Sequence, residues 1–104
     1  MTIKSKSDIK DLVDRVSTLS ADDLIVLKNL GADKSKRTIE LASELFILPR
    51  IIDESVKHLR ERGFIVETRQ NLEKGDLFIY SVMLTSEGED AKTLLPLVEK
   101  TMNQ

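Results

Sequence analysis

The sequence predicts a mainly α domain with one small β-hairpin, an α+β arrangement, on three observations. Apolar residues recur at helical spacing in several separate stretches of the chain. That period gives way to a strand-like alternation directly after Gly63 and returns after Thr85. Two β-branched runs flank a polar loop, Gln70 to Asp76, that carries a glycine. With 104 residues, 40% hydrophobic and 33% charged, the composition suits one globular domain with a modest core.

The first expected helix opens at Ser7-Asp8, and Ile9, Leu12, Val13 and Val16 make one apolar stripe along it. Ser20 can cap the next helix, with Asp22 and Asp23 in a first turn where the helix dipole favours carboxylates. Leu24, Ile25, Leu27 and Leu30 are its predicted buried face, and Gly31 its stop. Ala32 to Arg37 reads as a polar loop.

Thr38 to Gly63 is the organising stretch. Thr38 is placed as an N-cap for a helix over 38–45, in which Ile39, Leu41, Ala42 and Leu45 repeat at helical spacing. Phe46-Ile47-Leu48 breaks the period. Pro49 restarts it, because proline costs nothing in a first helical turn. The helix over 49–62 carries Ile52, Val56 and Leu59 on one face and ends at Gly63, suited to a left-handed C-cap. Helix, corner and helix of these lengths predict a helix-turn-helix over 38–63.

Phe64-Ile65-Val66 opens the first β-branched run, and Leu77 to Leu84 is the second, giving a hairpin over 64–84. A hairpin directly after a helix-turn-helix makes a winged helix, here one domain over 1–104. Thr85 then caps a last helix over 86–102, with Glu87, Glu89 and Asp90 in its first turn. Ala91, Leu94, Leu95, Val98 and Met102 are its apolar stripe, and Pro96 predicts a kink or a break.

The run LASELFILPRIIDESVKHLRERGFIVE, then a loop, then VMLTSEG, resembles the winged-helix regulators of the MarR (multiple antibiotic resistance regulator) kind. Leu41-Ala42, Leu59, Gly63-Phe64-Ile65, Leu84-Thr85 and Gly88 carry the resemblance, which covers roughly residues 18 to 90. It implies a DNA-binding transcriptional regulator. Such regulators usually carry Asp-x-Arg at the wing edge; Asp76 matches, but Phe78 stands where the arginine would be, so either Arg69 substitutes or the wing is simply solvated.

Net charge is −2 and the pI about 5.4, a poor balance for a protein that must neutralise phosphates. The distribution helps slightly: nine basic and seven acidic residues lie between Lys34 and Lys74, against seven and eleven elsewhere. With Ile52, Val56 and Leu59 inward, the 49–62 helix exposes Arg50, Ile51, Lys57 and His58 to double-stranded DNA, beside Asp53 and Glu54. Lys36 and Arg37 in the preceding loop, and Arg69 and Lys74 in the wing, complete the DNA-binding candidates. The alternative is a winged-helix module that binds protein rather than DNA, which the acidic balance and the missing wing arginine favour.

Other classes find little footing. His58 is the one histidine and there is no cysteine, so neither a zinc site nor a thiol nucleophile is expected, and no enzyme, metal or cofactor is implied. No apolar run approaches the ~18 residues of a membrane span, and a cytoplasmic protein is expected. The stripes of the first and last helices exceed what one small core should cover. They predict a homodimer through Ile9, Leu12, Val13, Val16, Leu94, Leu95, Val98 and Met102; the alternative is a closed monomer in which the two helices pack on each other and on the same core.

Overall fold

The computed structural model describes residues 6–71 and 78–102, with side chains over 9–69 and 80–97. Helices α1 (Lys6–Ser17), α2 (Ala21–Lys28), α3 (Thr38–Leu45) and α4 (Pro49–Glu61) precede strands β1 (Ile65–Asn71) and β2 (Phe78–Leu84), and α5 (Ser86–Met102) closes the chain. Lys74 and Asp76 lie outside the described residues, as do the side chains of Phe78, Val98 and Met102. Among the described residues no helix is long and apolar enough to cross a membrane.

Local capping chemistry sets most boundaries. At the start of α2 the Asp23 N–H donates to Ser20 Oγ (3.2 Å), and the Ser20 N–H donates back to the Asp23 carboxylate (3.0 Å). This is a reciprocal capping box. The helix ends sooner than expected, at Lys28, where Asn29 turns its side-chain amide back onto the Ile25 carbonyl at 2.8 Å. The expected buried face also needs correction: Ile25 is exposed, whereas Val26, Leu27 and Leu30 are buried together with Asp23. Positions 23, 26, 27 and 30 form the helical stripe, and a carboxylate occupies its first place.

For α3 the N-cap is Arg37, not Thr38, and its backbone N–H donates to Glu40 Oε1 at 3.2 Å. Leu41 and Ala42 are buried while Ile39 is exposed, so the inward stripe is narrower than the sequence suggests. At the end of α4 the Phe64 N–H donates to the Leu59 carbonyl and the Gly63 N–H to that of Arg60, both at 3.0 Å. Gly63 sits at φ 78° between them, the left-handed residue of a Schellman motif, and both Leu59 and Phe64 are fully buried beneath it.

The hairpin is antiparallel, in register from Ile65 opposite Leu84 to Asn71 opposite Phe78. An unforeseen third segment lies against β2. Lys36 and Val82 exchange backbone hydrogen bonds of 2.9 and 2.7 Å, and the Leu84 N–H donates to the Gly31 carbonyl at 2.8 Å. The loop before α3 is thus stitched to the wing. A helix-turn-helix continued by such a hairpin is the winged-helix arrangement.

Thr85 closes the join to α5 as expected, accepting from the Gly88 N–H (3.0 Å) while its hydroxyl donates to the Gly63 carbonyl (2.6 Å). A Cβ on Gly88 would lie 1.9 Å from the Phe64 carbonyl oxygen, so only glycine lets α5 approach this closely. Helix α5 runs continuously through Pro96, so of the kink or break expected there the break is absent. Pro96 is exposed, leaving the Lys92 carbonyl that lost its donor on the hydrated side.

Helices α1 and α5 pack on each other. Arg15 near the end of α1 meets Glu87 at the start of α5 (2.8 Å), so the two run antiparallel. Leu12, Val16, Leu94 and Leu95 are all buried in the core that also holds Leu27, Leu41, Ile52, Leu59 and Phe64. This corrects the premise that the outer helices keep two uncovered stripes. The core is larger than expected because Phe64, Ile65, Val82 and Leu84 bring the hairpin into it.

Candidate nucleic-acid interface

Helix α4 has one buried and one exposed face. Ile52, Ser55, Val56 and Leu59 point inward, and Arg50, Asp53, Glu54, Lys57 and Arg60 are exposed opposite them. Ile51 is half-buried. Arg50 and Lys57 form no ion pair with any of the described residues, so both charges are free for an anion.

Beside this face runs an open groove of about 480 Å³ between α4 and the hairpin. Asp53, Lys57 and Arg60 form its helix wall, Glu67 and Tyr80 its strand wall, and Thr38 belongs to its rim. Arg60 Nη1 is 3.7 Å from Glu67 Oε2, and both side chains are roughly half exposed, so the pair is loose and solvent-screened. Arg69 is exposed and stands opposite Tyr80 in the ladder. The groove therefore sets the helix cations Lys57 and Arg60 beside the Tyr80 ring and hydroxyl, with Asp53 and Glu67 as its carboxylates.

The remaining expected contacts fall elsewhere. Arg37 is exposed at the start of α3, but the Lys36 ammonium is 3.0 Å from Glu44 Oε2 and largely covered. His58 sits in the seam between α4 and α2. Its Nδ1 lies 3.1 and 3.2 Å from the two carboxylate oxygens of the buried Asp23. Burial works to raise the Asp23 carboxyl, yet the Ser20 backbone N–H, the Ser55 side chain and His58 together hold it below the usual carboxylate range. Asp23 thus caps α2 and anchors α4 at the same time.

Two cations near this surface serve the scaffold. Arg15 donates to the Arg62 carbonyl (2.7 Å) and to Glu87 (2.8 Å), with its guanidinium 5.1 Å from the Phe64 ring centroid. Arg62 donates through Nε to Thr18 Oγ1 at 2.8 Å.

Sequence reasoning missed Tyr80, treating it only as a strand residue. The available signal was period two: Tyr80 and Val82 share a face of β2, and Val82 is buried against the helices. Further from the core, that same face becomes the groove wall.

No family model matches the sequence, and no curated protein matches it. Solved structures do. The chain superposes on a possible transcriptional regulator from Methanosarcina mazei Go1 with a TM-score of 0.65 and 22% identity, over 92% of this chain and 81% of that one. The fold is shared. The YusO protein of Bacillus subtilis gives 0.63 and 18% over 89% of this chain, and a point mutant of Lactococcus lactis ZitR gives 0.61 and 23% over 82%. The chain spans 65% of the YusO chain and 56% of the ZitR chain.

Proposed function

We propose that the protein is a MarR-like, winged-helix transcriptional regulator that docks α4 in the major groove of double-stranded DNA. The observation that carries this is the exposed α4 face, with the uncommitted Arg50 and Lys57 leading into a groove whose lining includes Arg60. Arg50, in the first turn, is placed for a guanine edge, while Lys57 and Arg60 are placed for phosphates. The fold shared with a possible transcriptional regulator supports the same reading.

Electrostatics sets the scale of the binding. Per chain, the two phosphate contacts of Lys57 and Arg60 imply a log–log salt slope of roughly −1.8, so a fourfold rise in salt costs roughly 12-fold in affinity. A gel shift on random duplex across that salt range is the test. Retardation at low salt that fades with this steepness supports DNA binding. A duplex left unshifted at low salt sinks it.

Asp53 and Glu54, exposed on the same helix face, favour the second reading of a protein-binding module. Unshifted duplex would move the weight there. The proposal includes a two-fold homodimer in the cytoplasm, through the edge of α1 and α5 where Ile9 and Leu97 remain exposed. No catalytic role is proposed.

A further inference from the structure

We propose that Phe46 and Leu48 form an apolar reading tip at the leading end of α4, which selects DNA by the 5-methyl groups of thymine in the major groove. This rests on the docking of α4 proposed above. Phe46 ends α3 at φ 55° and is 96% exposed. The ring adds almost nothing to the core, while its backbone adopts a conformation that a side chain disfavours. Leu48 is the N-cap of α4 and is 62% exposed, so it offers no acceptor to the free N–H groups of the first turn. For the fold alone, glycine at the first position and serine at the second would serve better.

Both departures put apolar atoms at the same end of the same helix. In helix-turn-helix docking, that end reaches the base edges. The major-groove edges of the bases present donors and acceptors, with one apolar feature among them, the thymine methyl. An apolar tip there has that one matched target. An apolar protein surface would be the other occupant. The tip is continuous with the exposed Arg50 and Lys57, and these cations favour DNA over an apolar partner.

The test starts from a random duplex pool, enriched at low salt with the full chain. The enriched sequence is then remade with deoxyuridine for thymidine, which removes the methyl groups and nothing else. Each contacted methyl removed should lower affinity about fourfold. The double variant Phe46→Gly/Leu48→Ser should bind the thymine and uracil duplexes equally. Its thermal midpoint should match or exceed that of the parent, since glycine suits a positive φ and serine caps α4. A uracil duplex bound as tightly as its thymine parent overturns the reading tip and leaves the docking standing. Methyl sensitivity retained in the double variant also overturns the tip. If no duplex is bound even at low salt, both readings fall.

Discussion

His58 and Asp23 show how one residue's position can decide between a ligand contact and a scaffold contact. The imidazole lies against a buried carboxylate, so the α2–α4 seam depends on Asp23 staying ionised. Its folded carboxyl titrates below the unfolded value, so the stability it contributes is complete above about pH 4 and is lost as pH falls through the folded value. Urea midpoints measured from neutral pH down into the acid range should fall, and Asp23→Asn should flatten that fall. At neutral pH Asp23→Ala should cost about 2–3 kcal/mol, because the reciprocal half of the α2 capping box is lost and the buried Ser55 is left without its partner. Arg50→Ala and Lys57→Ala belong to the other face and should leave the urea midpoint unchanged. Losing a base contact at Arg50 should weaken DNA binding by roughly 1–3 kcal/mol, and losing a phosphate contact at Lys57 should flatten the salt slope by about 1. Unchanged affinity in the double variant at low salt would favour the protein-binding reading.

At the scale of elements, the legible features were those written within a few residues. Ser20 announces an N-cap, Gly63 a left-handed cap, and the change of period after Gly63 a hairpin. Each needs only local chemistry, and each is present. Joins between distant segments were not legible. The Lys36–Val82 bridge pairs residues far apart in the chain, and nothing in either neighbourhood encodes it. The buried place of Asp23 was hidden for a related reason: an apolar search along α2 skips a carboxylate whose partner, His58, lies on α4. Of the candidate interface, the helix face was readable from the Ile52, Val56 and Leu59 spacing, whereas the groove needed the hairpin's placement. Gly88 joins these scales, since it stands out only once α5 is seen to press on the Phe64 carbonyl. Gly88→Ala should therefore destabilise by at least about 3 kcal/mol, more than an ordinary overpacked site, because the obstacle is backbone. Gly63→Ala should cost less, about 1–2 kcal/mol for its left-handed φ, since the Glu87 carboxylate 3.3 Å from the new Cβ is a side chain that can shift. Chemical denaturation of the two variants side by side checks the order.

For the whole molecule, the question is what one chain can do with so little positive charge. A net charge of −2 leaves each α4 few cations to set against phosphates, and a two-fold pair would double them across half-sites about 34 Å apart. The fold changes where such a pair can form. Leu12, Val16, Leu94 and Leu95 are already inside the chain's own core, so they have no surface to offer a partner. Ile9 and Leu97 remain on the surface, and the antiparallel packing of α1 and α5 sets them at the same end of the helix pair. The two leucines of α5 should then respond in opposite ways. Leu95→Glu would bury an unpaired carboxylate and should unfold the domain. Leu97→Glu should keep the fold and halve the mass. Light scattering at micromolar concentration, with circular dichroism on the same samples, separates these outcomes. The parent should run near twice 11.8 kDa, and folded Leu97→Glu near 11.8 kDa itself. A parent already at the lower mass would reject the dimer and leave a single α4 to bind DNA through one half-site, with the shallower salt dependence that fewer phosphate contacts impose.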